Sequence, residues 1–279
     1  MIVFSDMDGT FLTSTKAVSA RSLEALDALA ARGIEFVPCT GRALVGIPPE
    51  VLGHPAVHYA ISSNGAVVSR LDPENKTADA ATALRLVPLA PESALAVWDI
   101  ARDHDVTFDI FADGHSYLRR DLYDRMAEFV PDPSTLASMR WNRTPVDEEP
   151  EQTIARVDAL ERLAMYWYDP SDRDAIVEAL RHVDNITVTR SYPMNIEVMD
   201  KDASKAASMA WLCEQLGMSA ADAVAFGDNF NDMSMIELAG LGVAVANAET
   251  EVREAADMCC ASNDEDGVAS VILERLGLS

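Results

Sequence analysis

The sequence predicts an α/β protein: a parallel sheet covered by helices on both faces, with an α+β unit inserted into it. Three observations predict it. Short apolar runs alternate with amphipathic helical stripes in the first and last parts of the chain. Several of those runs end in loops rich in carboxylate, hydroxyl and amide side chains, where the carboxyl ends of parallel strands face a ligand crevice. The middle of the chain leaves this rhythm for hairpin signals and a second, separate pattern.

The chain opens on Met1-Ile-Val-Phe4, which reads as a buried strand, and runs straight into Ser5-Asp-Met-Asp-Gly-Thr10. In an extended chain residues i and i+2 point the same way, so Asp6 and Asp8 are expected to reach one bound group, with Gly9 supplying a sharp turn just beyond. Leu23, Leu26, Leu29 and Ala30 form a helical stripe with Ser19 as N-cap and Gly33 as stop. Ile34 to Val37 is the next strand and leads into Cys39-Thr-Gly-Arg42; Tyr59 to Ser62 is another, leading into the turn dipeptide Asn64-Gly65. Downstream, the spacing predicts a helix from Lys205 to Leu216, a strand from Ala223 to Phe226, the loop Gly227-Asp-Asn-Phe-Asn-Asp232, a helix from Asp232 to Ala239 and a strand from Gly242 to Val245.

In the middle, Leu86 to Leu89 reads as a strand and Glu92 to Arg102 as a helix. Thr107 to Leu118 reads as two strands around Asp113-Gly114. Pro131 to Glu151 is rich in Pro, Asp and Glu and is expected to be a solvated loop. Leu163 to Tyr168, Ala175 to Val183 and Ile186 to Thr189 give a strand–helix–strand pattern, followed by Asn195 to Met199. The expected division is a discontinuous core, 1–83 plus 193–279, and an inserted α+β domain, 84–192.

Composition narrows the partners. The 279 residues hold 22 Lys and Arg against 46 Asp and Glu, a net charge of −24. That argues against nucleic acid or an anionic membrane as the main partner, because both require a basic footprint. No apolar run approaches the roughly 20 residues that span a bilayer, and no basic segment precedes the first apolar run as in a signal peptide. The four cysteines show no CxxC spacing, so a disulfide framework or zinc site is not expected and a cytoplasmic location is.

Asp6-x-Asp8-Gly-Thr10, Thr40, Lys205 and Gly227-Asp-x-x-Asn-Asp232 resemble, in order and spacing, the four motifs of the haloacid dehalogenase superfamily of phosphotransferases. The placement of the insertion, between the second and third motifs, resembles the Cof-type subgroup. The resemblance implies a Rossmann-like parallel-sheet core with an inserted α+β cap domain that closes over small phosphorylated molecules, commonly sugar phosphates. It implies a Mg²⁺-dependent phosphatase in which Asp6 is the nucleophile and Asp8 the general acid and base. Asp6, the backbone carbonyl of Asp8 and Asp228 would hold Mg²⁺, a hard cation suited to oxygen ligands. Thr40, Lys205, Asn231 and the backbone N–H groups of Met7 and Gly41 would surround the phosphate, and Asp232 would orient Lys205 or a metal-bound water. Arg42 is expected either to touch substrate or to pair with a carboxylate.

Taken singly, these residues have plainer readings: Lys205 as a solvated residue in a first helical turn, Thr40 as a turn residue, Asp228 and Asp232 as a strand-end turn and an N-cap. Their conjunction in register carries the functional reading. A phosphomutase of the same superfamily shares every core motif and stays open at this point; a slow phospho-accepting signalling module is the other alternative, and Asp8 argues against it, since a slow switch would gain from omitting that residue. The expected partner is a small phosphorylated metabolite, with no nucleic acid or membrane, and the protein a monomer or homodimer.

Overall fold

The computed structural model describes residues 1–275 and 277. Among them are β1 (Ile2–Ser5), β2 (Glu35–Pro38), β3 (Tyr59–Ser62), β4 (Val67–Arg70), β5 (Thr82–Leu86), β6 (Asp109–Ala112), β7 (His115–Arg119), β8 (Thr144–Val146), β9 (Leu160–Tyr166), β10 (Ile186–Thr189), β11 (Asn195–Asp200), β12 (Ala223–Gly227), β13 (Leu241–Ala244) and β14 (Met258–Cys259). The chain divides into two compact units, Met1–Arg85 with Ser204–Ser279, and Leu86–Ala203.

The first unit holds a five-stranded sheet in the order β14-β13-β12-β1-β2, every neighbouring pair parallel. Alternation along the strands sends side chains to two cores. Ile2 and Phe4 pack with Val37, Ala223, Ala225 and the helix residues Met209 and Leu212 on one face. Val3 packs with Phe36, Phe226, Leu26 and Leu29 on the other. A strand buried on both faces is therefore nearly all apolar, which is why the short runs read as strands at all. β1 lies between β12 and β2, so the chain leaves it in opposite directions across the sheet, and a crevice opens at the carboxyl ends of these three strands.

The helix Ala20–Ala31 starts at Ser19, whose hydroxyl accepts the Ser22 N–H at 2.9 Å, and stops at Gly33 with φ +63°. β3 and β4 form an antiparallel hairpin whose turn carries three positive-φ residues, Ser63 (φ +50°), Asn64 (φ +56°) and Gly65 (φ +92°). β5 completes a separate three-stranded sheet with them. The strand expected at Leu86–Leu89 instead ends at Leu86, where Pro88 soon removes a ladder donor. The helix expected from Asp232 begins two residues earlier, at Phe230, because Asn229 caps it.

The second unit is a six-stranded sheet ordered β10-β11-β9-β6-β7-β8, antiparallel except for the β7–β8 pair. Three helices, Pro91–Ala101, Pro150–Arg156 and Pro170–Leu180, share a core with one sheet face through Val97, Trp98, Ile154, Ile176 and Leu180. The unit extends past residue 192 because β11 is hydrogen-bonded between β9 and β10. The stretch 131–151 is largely ordered rather than a solvated loop. Asp132 caps a helix over Pro133–Asn142, with its carboxylate on the Thr135 N–H, and Glu149 with Gln152 forms a capping box for Pro150–Arg156. Its Pro and acidic residues were helix-start signals. No helix among the described residues is long and apolar enough to cross a membrane.

Gly65 fixes how closely the hairpin turn approaches the helix Lys205–Gln215. A Cβ on it would lie 2.1 Å from the Ser204 carbonyl oxygen and 2.8 Å from the Lys205 backbone nitrogen. Its own carbonyl accepts the Ser208 hydroxyl at 2.6 Å. Gly65→Ala is expected to cost about 2–5 kcal/mol, combining left-handed backbone strain with overpacking. A thermal melt checks it; an unchanged midpoint would show that the helix start has room to move.

Candidate active site

Three strand ends build the site. The Asp6 N–H donates to the Phe226 carbonyl at 2.9 Å, and the Cys39 N–H to the Ser5 carbonyl at 2.8 Å, so the loops after β1, β2 and β12 are tied together by continued sheet ladder. The Thr40 N–H reaches the Ile61 carbonyl at 2.9 Å, which joins the β3 hairpin to the same rim. Beyond Asp6 the chain does not stay extended. The Leu12 N–H turns back to the Met7 carbonyl at 2.8 Å, and Gly9 sits at φ +84° against the Asp228 carboxylate. Asp6 and Asp8 consequently face different neighbours.

Asp6 is buried, and its Oδ1 accepts the Lys205 ammonium at 2.5 Å. The same ammonium donates to Asp232 Oδ1 at 2.6 Å. Asp232, wholly buried, also takes the backbone N–H groups of Asp228 and Asn229 on its other oxygen, at 3.0 and 3.1 Å. Asp228 accepts the Thr10 hydroxyl on Oδ1 at 2.9 Å. Asp6, Asp228 and Asp232 offer carboxylate oxygens all within 4.8 Å of one another.

Electrostatics follow from that crowding. Burial pushes the Asp6 carboxyl up to about 7; Lys205 opposes the rise, and Asp232 and Asp8 add to it. Burial, with the charges of Asp6 and Asp232, also holds Asp228 well above the usual carboxylate range. Burial works against the charge of Lys205, yet Asp232 and Asp6 more than reverse it and keep the ammonium protonated. One buried cation thus serves three acids, a shortfall that an added divalent cation would relieve. The donor set is all oxygen, as a hard cation requires. Both Asp232 oxygens are already committed, so Asp6 and Asp228 are the better-placed ligands, with Asp232 orienting Lys205.

Asp8 lies outside this cluster. Arg42 grips its carboxylate with two bonds, Nε to Oδ2 at 2.6 Å and Nη2 to Oδ1 at 2.7 Å, and Lys16 approaches Oδ1 at 3.0 Å. Burial would raise this carboxyl, but Arg42 and Lys16 outweigh it and hold Asp8 well below the ordinary range. The two aspartates are pushed apart, as expected for neighbouring acids. The order is the reverse of a charged nucleophile beside a protonated acid, because Asp8 is held by two cations whereas Asp6 shares Lys205 with Asp232.

The remaining sequence candidates are connected through the hairpin turn. The Thr40 hydroxyl accepts the Arg42 N–H at 3.1 Å, and its carbonyl accepts the Asn64 N–H at 3.0 Å. The Asn231 amide donates to Asn64 Oδ1 at 3.0 Å. Met7 is fully buried and Gly41 lies between Thr40 and Arg42 on the rim. The sequence reading assigned no role to Lys16, Thr10 or Asn64. Asn64 had a signal, since a left-handed Asn-Gly turn beside a functional loop fixes its amide; Lys16, on a short turn, had none.

A family model described as haloacid dehalogenase-like hydrolase matches residues 3–272. The chain is a haloacid dehalogenase-like hydrolase. It is similar to the pyridoxal phosphate phosphatase YbhA of Escherichia coli, 27% identical over 284 residues that cover 99% of this chain and 98% of that protein. It is also similar to the 5-amino-6-(5-phospho-D-ribitylamino)uracil phosphatase YcsE of Bacillus subtilis, 28% identical over 97% of this chain and 94% of that protein. Among solved structures, a haloacid dehalogenase-like hydrolase from B. subtilis superposes with a TM-score of 0.81 at 26% identity, covering 98% of this chain and 99% of that one. The Cof-type family places this haloacid dehalogenase-like hydrolase among the phosphoric monoester hydrolases, and its α/β core with an inserted unit is that family's architecture.

The raised Asp6 carboxyl sets a pH dependence. A carboxyl whose folded value lies above its unfolded value of about 4 binds more protons in the native state between those limits. Native stability contributed by Asp6 therefore falls as pH rises from about 4 to about 7. In EDTA, wild type should lose melting temperature across that window more steeply than Asp6→Asn. A divalent cation at pH 7.5 should restore wild type and leave Asp6→Asn nearly unmoved. Parallel pH profiles for the two proteins would contradict the placement of Asp6 in an undercompensated cluster.

Proposed function

We propose that this hydrolase is a Mg²⁺-dependent phosphatase of small phosphorylated metabolites, sugar phosphates foremost, acting through an aspartyl-phosphate on Asp6. The observation that carries the reading is the convergence of Asp6, Lys205, Asp228 and Asp232 at one rim of the parallel sheet. In it Asp6 attacks phosphorus and the ester oxygen departs. Asp8, held ionised at rest by Arg42 and Lys16 and one third open to solvent, takes up a solvent proton before giving it to that oxygen, then takes one from the water that opens the acyl-phosphate. Lys205, Thr40, Asn231 and the N–H groups of Met7 and Gly41 hold the phosphate oxygens. Asp232 holds Lys205 toward Asp6. Mg²⁺ would be held by Asp6, Asp228 and the Asp8 carbonyl, and supplies charge neutralisation for an anion approaching an anion.

Lys205 supports the nucleophile assignment from physical grounds. A buried ammonium on Asp6 Oδ1 fixes that carboxylate's orientation and leaves its other oxygen outside the hydrogen bonds among the described residues. Sugar phosphates agree with the subgroup that the motif order resembles, and the relatives' substrates extend the panel to pyridoxal phosphate and ribityl phosphates.

The test is phosphate release across hexose and pentose phosphates, pyridoxal phosphate, flavin mononucleotide and phosphoglycerates, with Mg²⁺ and with EDTA. Wild type should turn over one class, EDTA should abolish it and Mg²⁺ restore it. Asp6→Asn should release nothing while melting as a folded protein. Full activity in Asp6→Asn would remove the nucleophile assignment. Activity that needs a bisphosphate activator and returns an isomer would mark a mutase.

A further inference from the structure

We propose that Arg42 is the positioning residue of Asp8, setting the plane from which that carboxylate exchanges protons; this rests on the phosphatase reading above. A lone surface ion pair would not look like this. The Arg42 side chain is only 8% exposed, and each of its three nitrogens donates: Nε and Nη2 to the two Asp8 oxygens, Nη1 to the Gly46 carbonyl at 2.6 Å. Its backbone is fixed too, with the N–H on the Thr40 hydroxyl and the carbonyl accepting the Ser63 N–H at 2.8 Å.

A planar fork on a planar carboxylate removes its rotation, which a single ammonium cannot do. Lys16 closes the arrangement from the turn Thr13–Ala17, where the Lys16 N–H bonds the Thr13 carbonyl and its own φ is +64°. A third of the Asp8 side chain stays exposed, so the clamp holds the group without covering it. The alternative, Arg42 as a phosphate ligand, has the guanidinium nitrogens engaged elsewhere. Orientation matters at this position because a misplacement of about 1 Å costs on the order of 100-fold in rate.

The experiment separates leaving groups. p-Nitrophenolate departs without a proton, whereas a sugar alkoxide needs one. Asp8→Asn should therefore lose kcat/KM mainly on the best sugar or alkyl phosphate of the panel. Arg42→Lys, which keeps charge and volume but not the fork, should do the same, by about 100-fold, with p-nitrophenyl phosphate falling about threefold or less. In an Asp8→Asn background, adding Arg42→Lys should change neither ester by more than about twofold, since a residue acting through Asp8 has nothing left to position. Mg²⁺ affinity by titration calorimetry should stay within about twofold of wild type, since the fork grips the Asp8 side chain, whereas the proposed ligands are the Asp6 and Asp228 carboxylates and the Asp8 backbone carbonyl.

Equal losses on both esters, or a repeated loss in the Asp8→Asn background, would overturn the proposal and make Arg42 a phosphate ligand. A collapse of Mg²⁺ affinity in Arg42→Lys would overturn it in favour of a general prop for the loop. A wild type that releases phosphate from neither ester overturns the phosphatase reading itself; an active wild type with a flat Arg42 response overturns only this one.

Discussion

Everything at the rim of the parallel sheet depends on one buried ammonium. Lys205 is wholly buried and is kept charged by Asp6 on one side and Asp232 on the other. Removing one partner of such a group strands a charge in a low-dielectric interior, at a cost of about 3–5 kcal/mol. The pair of contacts also fixes geometry over distance in sequence. Asp6 follows β1, Asp232 lies in the first turn after β12, and Lys205 opens the helix that packs under both. Asp232 passes the constraint on by holding the Asp228 and Asn229 N–H groups, so the acidic loop is shaped by the same cation that orients Asp6.

Most of the core was legible because its strands are short and buried on both faces, so they appear as uninterrupted apolar runs. Helix ends were legible where a cap was unambiguous, as with Ser19 and Gly33. Capping chemistry misled where caps were dense. Asp132-Pro133 and Glu149-Pro150 have the composition of a loop and the function of helix starts. The strand placed at Leu86–Leu89 failed for a related reason: apolar content was read without weighing Pro88, and the real strand, β5, is mostly exposed and carries little periodic signal.

In the site, the residues carrying motif chemistry were named from sequence, but their pairings were not. Alternation placed Asp6 and Asp8 on one side, and the turn at Met7 undoes that alternation within two residues. A turn of this kind is set by Gly9 packing against Asp228, more than 200 residues away, and no local pattern encodes such a contact. Arg42 was ambiguous for the same reason. Its partner is fixed by how the loops after β1 and β2 meet, which depends on sheet order and not on spacing.

A net charge of −24 opposes the approach of a phosphorylated, anionic substrate. Around β1 the balance is different: four carboxylates (Asp6, Asp8, Asp228, Asp232) face three cations (Lys16, Arg42, Lys205). With every group ionised the cluster keeps one negative charge, and a divalent cation turns that into one positive charge. In the proposed reaction the sign of the site would be set by the metal, since Arg42 and Lys16 are committed to Asp8 and Lys205 is shared between Asp6, Asp232 and the phosphate. On the proposed reading this divides the labour: Lys205 would aim Asp6, Arg42 and Lys16 would aim Asp8, and most of the attraction for phosphate would come from the metal's charge. It also accounts for the inverted proton affinities of Asp6 and Asp8. On that reading Asp6 is the acid whose compensating charge the metal would bring, and Asp8 is the acid whose compensating charges, Arg42 and Lys16, are built into the chain.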